Sequence, residues 1–419
     1  MKYSPIIDMM NREKLLDLRN ETSQTLCLAK FHEATIWLYS SRIASCHHTP
    51  LVPVGDTALT FFNPTEKRQQ QASMIAGNKP SECSYCWKLE DKDLISDRYK
   101  KSIGFKSSLT ASEYLDPSYN FKPKALELSF QNLCNLACSY CSADYSSKWI
   151  DDLTKNGNYT EITTDKRLHY QRGVDNHTPV DMTLFWEWFN SVATEIESIR
   201  ITGGEPLLHE ETFKVFDIMQ SINPNIEFVI HTNLCQKPTI INRFVDKISK
   251  FNNVRLNISN ESADEVAEFI RDGMDYNEWL ANLKVLSNSN ANLSVSTTIT
   301  ALALTKLEQM YLDIIDLRKD TKQKVYIAVN FATYPEFQSI SCLTKDELKF
   351  YHDKYSVFFD SIKDDLLDIE RNHVTRMLTM LQSEEDVNQK ELRKDSDSFF
   401  EQYSQRRNKT NLINTIGLK

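Results

Sequence analysis

The sequence predicts an α/β fold, because predicted strands and helices alternate along the chain, and its length and composition indicate a globular protein. From Leu126 onward, short segments with apolar residues at alternate positions are separated by longer segments of helical period. The chain has 419 residues, 41% hydrophobic and 26% charged, which is enough for two or three domains with sizeable cores. Alternating strands and helices imply a parallel sheet, in which functional residues gather at the carboxyl ends of the strands.

The order of the predicted elements follows from this alternation. Strands are predicted near residues 126–131, 196–202, 226–232, 254–259, 292–299 and 324–330. Helices are predicted between them, including residues 181–194, 208–220, 238–250, 276–288 and 304–318. Residues 151–180 are polar and poorly periodic, and we predict a long surface insertion or a flexible loop there.

Three cysteines follow the first of these strands with the spacing C-x3-C-x2-C. They are Cys134, Cys138 and Cys141. A loop of this size can wrap three thiolates around one face of a 4Fe–4S cluster, which leaves one iron open to a small molecule. Buried structural cysteines and a zinc site are the alternatives, although zinc prefers four ligands.

A second strand, near residues 196–202, ends in Gly203-Gly204-Glu205-Pro206, and the chain contains only nine glycines in all. Together with the three-cysteine loop, this segment resembles the radical S-adenosylmethionine (SAM) superfamily. The resemblance implies a partial (β/α)6 TIM-like barrel and a SAM-binding 4Fe–4S cluster. It also implies reductive cleavage of SAM to a 5′-deoxyadenosyl radical, which is chemistry of the cofactor that the protein orients and shields from water.

The same resemblance implies roles for residues around the cysteine loop. Tyr140, before the last cysteine, occupies the position where the family packs adenine. Gly203 and Gly204 allow a close backbone approach, and Glu205 stands where the family contacts the methionine amino group. Asn233 and Ser259, at later strand ends, are expected near the ribose or methionine part of SAM.

Four more cysteines precede the predicted barrel: Cys27, Cys46, Cys83 and Cys86. A short β-hairpin and a C-x2-C turn can close around a metal centre. We favour a second, auxiliary 4Fe–4S cluster, and a structural zinc knot is the alternative because ligand type alone does not separate zinc from iron–sulfur. The neighbouring His47 and His48 are expected to be a solvated pair rather than ligands.

This N-terminal segment resembles the twitch-type auxiliary domain, in a subfamily that carries it before the barrel. The resemblance rests on the residues Cys83, Cys86, Trp87, Glu90, Ser96, Arg98, Ser146, Ser147 and Trp149. The chain departs from the subfamily pattern at Lys30-Phe31, at Cys46-His47, and at Ser41 in place of a usual glycine.

We therefore predict three domains: residues 1–120 as the twitch-type domain, 121–340 as the radical SAM partial barrel, and 341–419 as a helical C-terminal extension. The chain lacks an apolar signal region and any run that approaches a membrane span, which favours the cytoplasm. A net charge of −9 argues against non-specific nucleic-acid binding.

The predicted function is that of a radical SAM enzyme that abstracts hydrogen from a peptide or protein side chain or a small metabolite. The auxiliary cluster would relay electrons, and a flavodoxin or ferredoxin would be the electron donor. A methyl or carbon-skeleton transferase is an alternative that requires an extra thiol, for which Cys235 and Cys342 are candidates. A non-catalytic, metal-stabilised binding module is a further alternative. The residues that would contact the substrate are not predicted.

Overall fold

The computed structural model describes residues 5–105, 109–167, 169–171, 178–321 and 325–415. The strands are β1 (Glu33–Trp37), β2 (Arg42–Ala44), β3 (Val52–Pro53), β4 (Ala125–Ser129), β5 (Ala137–Cys138), β6 (Ser198–Thr202), β7 (Glu227–Thr232), β8 (Asn253–Ser259), β9 (Arg271–Asp272), β10 (Asn292–Ile299) and β11 (Tyr326–Phe331).

The helices are α1 (Pro5–Glu21), α2 (Leu28–His32), α3 (Thr65–Ile75), α4 (Ser84–Glu90), α5 (Asp97–Gly104), α6 (Ala111–Leu115), α7 (Ser147–Asn156), α8 (Met182–Val192), α9 (Glu210–Ile222), α10 (Pro238–Ile248), α11 (Asp264–Ile270), α12 (Tyr276–Leu286), α13 (Leu307–Lys319), α14 (Lys345–Ser361), α15 (Asp368–Leu381) and α16 (Gln389–Arg407). Within the described residues, no helix is both long and apolar enough to cross a membrane.

The described chain forms two compact units. Unit 1 comprises residues 5–105, 109–131, 178–201 and 221–227, and it contains the four N-terminal cysteines. Its strands lie in the order β6-β4-β1-β2-β3. β1 runs parallel to β4 and antiparallel to β2, so that Ile36 lies opposite Leu128 on one side and Ile43 on the other. Unit 1 also contains a cluster of buried hydrophobic side chains, formed by Leu15, Leu26, Leu28, Phe31, Ile103, Tyr114 and Phe121.

Unit 2 comprises residues 132–167, 169–171, 202–220, 228–321 and 325–415, and it contains the three-cysteine loop. Its strands lie in the order β11-β10-β8-β7. β10 runs parallel to both β8 and β11. Alternate residues of β8 are fully buried, because the sequence Asn-Val-Arg-Leu-Asn-Ile-Ser places its apolar side chains on one face of the strand.

The fold is α/β with mostly parallel strands, and this is consistent with the predicted partial (β/α)6 barrel. The strand from 292 to 299 has the predicted bounds, and the ends of the other predicted strands of this series differ from the prediction by at most two residues. Residue 324, the predicted start of the last strand, lies outside the described residues. The predicted domain boundaries at residues 120 and 340 stay predictions.

The prediction of an insertion or flexible loop at residues 151–180 is wrong for residues 151–156, whereas the described residues from 157 onward form no helix or strand and are mostly exposed. Residues up to 156 continue helix α7, and the side chains of Tyr159 and Tyr170 are 5% and 1% exposed. Residues 168 and 172–177 of this segment lie outside the described residues. Tyr159 and Tyr170 pack on Trp149 and Phe399, so aromatic burial orders a segment that is polar on average.

Candidate cofactor site

The three-cysteine loop follows β4 in the chain and includes strand β5. β5 pairs antiparallel with β9, so that Cys138 lies opposite Arg271. A tight turn follows, in which the Cys141 amide donates to the Cys138 carbonyl at 2.9 Å. Cys134 and Cys138 are buried and Cys141 is half-buried. The loop therefore presents its three thiols from one short stretch of backbone.

Side chains from distant parts of unit 2 hold the backbone of this loop. Four consecutive carbonyl groups, those of residues 136–139, each accept a hydrogen bond from a side chain. The donors are Ser146 Oγ to Leu136 O (2.7 Å), Tyr403 Oη to Ala137 O (2.8 Å), Trp149 Nε1 to Cys138 O (2.9 Å), and Tyr170 Oη (2.6 Å) and Gln338 Nε2 (2.9 Å) to Ser139 O. These hydrogen bonds fix the backbone on both sides of Cys138.

The sulfur atoms also have hydrogen-bond donors. The Leu136 amide lies 3.5 Å from Cys134 Sγ, and Asn233 Nδ2 lies 3.8 Å from the same atom. Arg271 Nη1 lies 3.5 Å from Cys138 Sγ. Burial raises the pKa of all three thiols, to about 12 for Cys141. Donors and a cation at the sulfurs favour the thiolate form that ligates iron.

The glycine pair after β6 lets the chain pass close to the cysteine loop. Gly203 has a φ of 124°, in the region that glycine adopts most readily. At Gly204 a Cβ atom would stand 2.2 Å from the Leu133 carbonyl oxygen, so a larger residue cannot occupy this position. The Glu205 amide then donates to the same carbonyl at 2.8 Å. The pair thus fixes the distance between Glu205 and the loop.

The carboxyl group of Glu205 is fully buried and accepts three hydrogen bonds. Its donors are Thr232 Oγ1 (2.7 Å), the Asn233 amide (2.7 Å) and the Leu207 amide (3.1 Å). Burial raises the pKa of Glu205 to about 7, although these hydrogen bonds act in the opposite direction. The site thus holds an acidic group that a nearby cation would convert fully to its charged form.

A buried ion pair beside Cys138 was not predicted from the sequence. Arg271 donates two hydrogen bonds to the Glu261 carboxylate, from Nε at 2.7 Å and from Nη2 at 2.6 Å. Both residues are at least 95% buried. The Tyr140 hydroxyl donates to Glu261 at 2.7 Å and accepts from Arg271 at 2.7 Å. In the sequence, Arg271 is recognisable only as a charged residue at the end of an apolar helix. That position does not indicate that it pairs with Glu261.

The structure brings most of the predicted SAM-contact residues into this network. Gly204 meets Leu133 of the cysteine loop, Asn233 connects Cys134 with Glu205, and Tyr140 joins the ion pair of Arg271. Ser259 lies at the carboxyl end of β8, half-buried and in register with Ser296 of β10, and takes no part in these hydrogen bonds. The residues of unit 2 therefore fit a cluster with three protein ligands and a small charged molecule beside it.

In unit 1 the four N-terminal cysteines line one cavity. Its walls are Cys27, Ala29, Lys30, Ser45, Cys46, His48, Thr49, Cys83, Cys86, Asp97, Arg98 and Lys101. Burial raises the pKa of Cys27, and raises that of Cys83 to about 12. No three His, Cys, Asp or Glu side chains among the described residues converge on the position of a single metal ion. The four cysteines line a cavity and are not gathered around the position of one metal ion.

Arg98 ties together the segments that carry these cysteines. Its guanidinium group binds Glu90 at 2.9 and 2.6 Å and donates to the Leu26 carbonyl, next to Cys27, at 2.7 Å. It also lies 4.7 Å from the centre of the Trp87 ring, next to Cys86. The residues that carried the resemblance in this segment thus hold the cysteine-bearing strands and helices together.

Two details of unit 1 concern departures that were noted in the sequence. Ser41 has a φ of 52°, a left-handed conformation that costs a serine more than the glycine it replaces. The expectation that His47 and His48 form a solvated pair is wrong for His48. Its ring stacks on Tyr85 at 3.9 Å, and its Nε2 atom lies 2.8 Å from an oxygen of Asp97.

Residues 128–317 match the family model of the radical SAM superfamily. The chain is 25% identical over 237 residues to the GTP 3′,8-cyclase of Sulfurimonas denitrificans, a match that covers 55% of this chain and 63% of that protein. Similar solved structures include Streptococcus suis SuiB bound to SAM (12% identity, TM-score 0.36, covering 81% of this chain and 70% of that one). Another is anSMEcpe with bound SAM (16% identity, TM-score 0.36, covering 58% and 62%).

Residues 128–317 are therefore a radical SAM domain. Radical SAM domains as a family use one 4Fe–4S cluster and SAM as cofactors.

Proposed function

We propose that this protein is a radical SAM enzyme with two 4Fe–4S clusters, of the subfamily that carries a twitch-type auxiliary domain before the barrel. When bound, the SAM cluster and SAM supply the 5′-deoxyadenosyl radical that removes hydrogen from a substrate. The cluster in unit 1 relays electrons. The observation that carries the proposal is the C-x3-C-x2-C loop, in which side chains fix the four consecutive carbonyl groups of residues 136–139 around Cys138.

The charges beside the loop support a site for the methionine part of SAM. That part carries an ammonium and a carboxylate group. Glu205 provides a buried acidic group, and an ammonium beside it would favour its charged form. Arg271 provides a buried cation next to Cys138. The backbone approach at Gly204 excludes water from this wall of the site because it leaves no room even for a Cβ atom.

The cavity in unit 1 supports the second cluster. Four thiols from three segments of the chain line it together with the cations Lys30, Arg98 and Lys101. Cations are expected around an anionic group of four thiolates and iron. A zinc knot on the same cysteines is the alternative, and iron and zinc analysis separates the two.

The transferase alternative requires an additional reactive thiol. Cys342 is fully buried, and its carbonyl accepts from Gln389 of α16, so its sulfur has no path to a substrate in this structure. Cys235 is half-buried, and its Sγ atom lies 3.3 Å from the Asn233 carbonyl, close to the SAM-contact residues. Cys235 is therefore the residue on which this alternative depends.

The proposed substrate is a peptide or protein side chain or a small metabolite. The relative from Sulfurimonas denitrificans is named a GTP 3′,8-cyclase, so GTP is one of the small metabolites to test as a substrate. A flavodoxin or ferredoxin as electron donor, and a cytoplasmic location, complete the proposal.

The decisive experiment is reductive cleavage of SAM after anaerobic reconstitution, followed by chromatography of 5′-deoxyadenosine under dithionite. We expect product from the wild type and none from Cys138→Ala, because loss of one of three ligands loses or displaces the open iron. Cys342→Ala is the matched control, since it removes an equally buried thiol outside the loop and should cleave SAM. Wild-type yield from Cys138→Ala, or no product from the reconstituted wild type, would refute the proposal.

A further inference from the structure

The cavity of the four N-terminal cysteines has a one-sided distribution of charge. Lys30, Arg98 and Lys101 line it. Each of these cations is paired with a carboxylate, Glu82, Glu90 and Glu33 respectively, and none of these three carboxylates is among the lining residues. Asp97 also lines the cavity, where it is bound to His48. The cavity wall thus includes the three cations and not the carboxylates with which they pair.

Lys30 differs from the other two cations in how completely it is buried and how loosely it is paired. Its side chain is 2% exposed. Its Nζ atom donates to Gln70 Oε1 at 2.8 Å, and the carboxylate oxygen of Glu82 is farther away, at 3.4 Å. Arg98 is bound to Glu90 by two hydrogen bonds of 2.9 and 2.6 Å. The charge of Lys30 is therefore less cancelled by its partner and less screened by water.

The protein backbone and side chains hold Lys30 in this position. Gln71 donates from its side-chain nitrogen to the Lys30 carbonyl at 3.2 Å, and neighbouring Gln70 binds the ammonium group. Lys30 lies in the short helix α2, one turn after Cys27. Because burying a cation without a tight partner is costly, the position indicates that an anionic group in the cavity balances the charge.

We propose that Lys30 sets the reduction potential of the auxiliary cluster, raising it so that the cluster accepts electrons. This inference rests on the proposed function, since it requires a cluster rather than zinc on these four cysteines. Reduction adds one negative charge to a cluster that is already anionic with its four thiolates. A fixed ammonium group beside the cavity stabilises the reduced form more than the oxidised form, and this raises the potential. Lys30 acts through the cluster and is a positioning residue.

The experiment is a redox titration of the auxiliary cluster alone, followed by electron paramagnetic resonance. The full-length chain with Cys134→Ala, Cys138→Ala and Cys141→Ala serves as the background, because it retains only the N-terminal set of ligands. Three further substitutions are compared in it. Lys30→Met keeps the length of the side chain and removes its charge. Glu82→Gln removes the counter-charge of Lys30. Lys79→Met removes a half-exposed lysine of the same unit that is paired with Asp91 and does not line the cavity.

We expect Lys30→Met to shift the midpoint potential to more negative values, Glu82→Gln to shift it to less negative values, and Lys79→Met to leave it unchanged. If the Lys30→Met variant does not take up a cluster, the shift in midpoint potential of the Glu82→Gln variant tests the proposal by itself. Wild-type potentials in the variants that hold the cluster would refute the role of Lys30 and leave the two-cluster proposal intact. Zinc without iron in the background protein would refute both.

Discussion

At the scale of single residues, Glu205 shows how burial raises the pKa of a carboxyl group, so that a charged ligand could change its protonation state. Its carboxyl group has no exposed surface, and its pKa is raised to about 7. Three donors from Leu207, Thr232 and Asn233 orient it without fully compensating for the loss of water. In the absence of SAM this side chain therefore exchanges a proton near neutral pH.

The raised pKa predicts a pH dependence of the stability of the cofactor-free protein. Between pH 4.5 and 7 the native state retains a proton that the unfolded state has released, so stability falls as pH rises through this window. The total loss amounts to about 3 kcal/mol, from a shift of roughly 2.5 pKa units. Glu205→Gln removes this dependence, since the amide does not titrate.

Urea unfolding of the two proteins at pH 5.5, 6.5, 7.5 and 8.5 measures the effect. Glu205→Gln carries a fixed cost, because the Asn233 amide loses a charged acceptor, and only the difference in slope is informative. Parallel stability–pH curves for the wild type and the variant would contradict the raised pKa.

The residue scale is also where prediction from sequence has a clear limit. Tyr140, Glu205 and the cysteines were predicted because they occupy fixed places in short motifs. Glu261 and Arg271 form the buried ion pair beside Cys138, and they are ten residues apart, across a turn and helix α11. Nothing in local spacing specifies that these two charges meet, and it is the pairing of β5 with β9 that brings Arg271 opposite Cys138.

At the scale of elements, helix α16 supports the site although it lies far along the chain from the cysteines. Its residues Phe399, Phe400 and Tyr403 are fully buried against Phe269 and Trp149. The Tyr403 hydroxyl donates to the Ala137 carbonyl at 2.8 Å and lies 3.2 Å from the Phe269 carbonyl oxygen. The sequence analysis predicted a helical extension here, but an amphipathic pattern does not identify which backbone groups a helix will contact.

We expect Tyr403→Phe to weaken the binding of the SAM cluster specifically. The substitution leaves the Ala137 carbonyl buried without its donor, at a cost of about 1–3 kcal/mol. Tyr355→Phe is the matched control, because Tyr355 is equally buried and its hydroxyl donates to the Leu304 carbonyl, away from the loop. Both variants should be less stable than the wild type, and only Tyr403→Phe should release iron from the core cluster faster.

The rate of iron release to a chelator, measured in chains that lack Cys83 and Cys86, reports on the core cluster alone. Equal release rates for the two tyrosine variants would show that α16 contributes general stability and does not hold the loop.

At the scale of the whole molecule, the two sets of cysteines belong to different units. Unit 1 holds four and unit 2 holds three in the loop, together with Cys235 and Cys342. The sequence analysis predicted two separate cysteine sets from their spacing, because cysteine clusters are local in the chain even where the strands and helices that support them are not. It could not choose between zinc and iron–sulfur for unit 1, since the thiols are the same for both metals.

We expect the reconstituted protein to bind about eight irons, as two clusters of four. Iron and sulfide analysis should give one cluster in the variant Cys134→Ala/Cys138→Ala/Cys141→Ala and one in Cys83→Ala/Cys86→Ala. The second variant should still cleave SAM and form no oxidised product from the true substrate. Its core cluster and a cooperative melt must be shown first, because loss of ligands can unfold a small metal-stabilised unit. Normal turnover by that folded variant would rule out electron relay.

The contact between Tyr403 and the Ala137 carbonyl, 266 positions apart in the chain, also bears on the order of events during synthesis. At elongation rates of about 5–20 residues per second, roughly 13 to 50 seconds separate the translation of these two residues. Throughout that interval the nascent chain displays its cysteine loop without the helix that fixes it. Iron–sulfur delivery to this loop is therefore best timed after the ribosome has translated α16, when the hydroxyl of Tyr403 is in place.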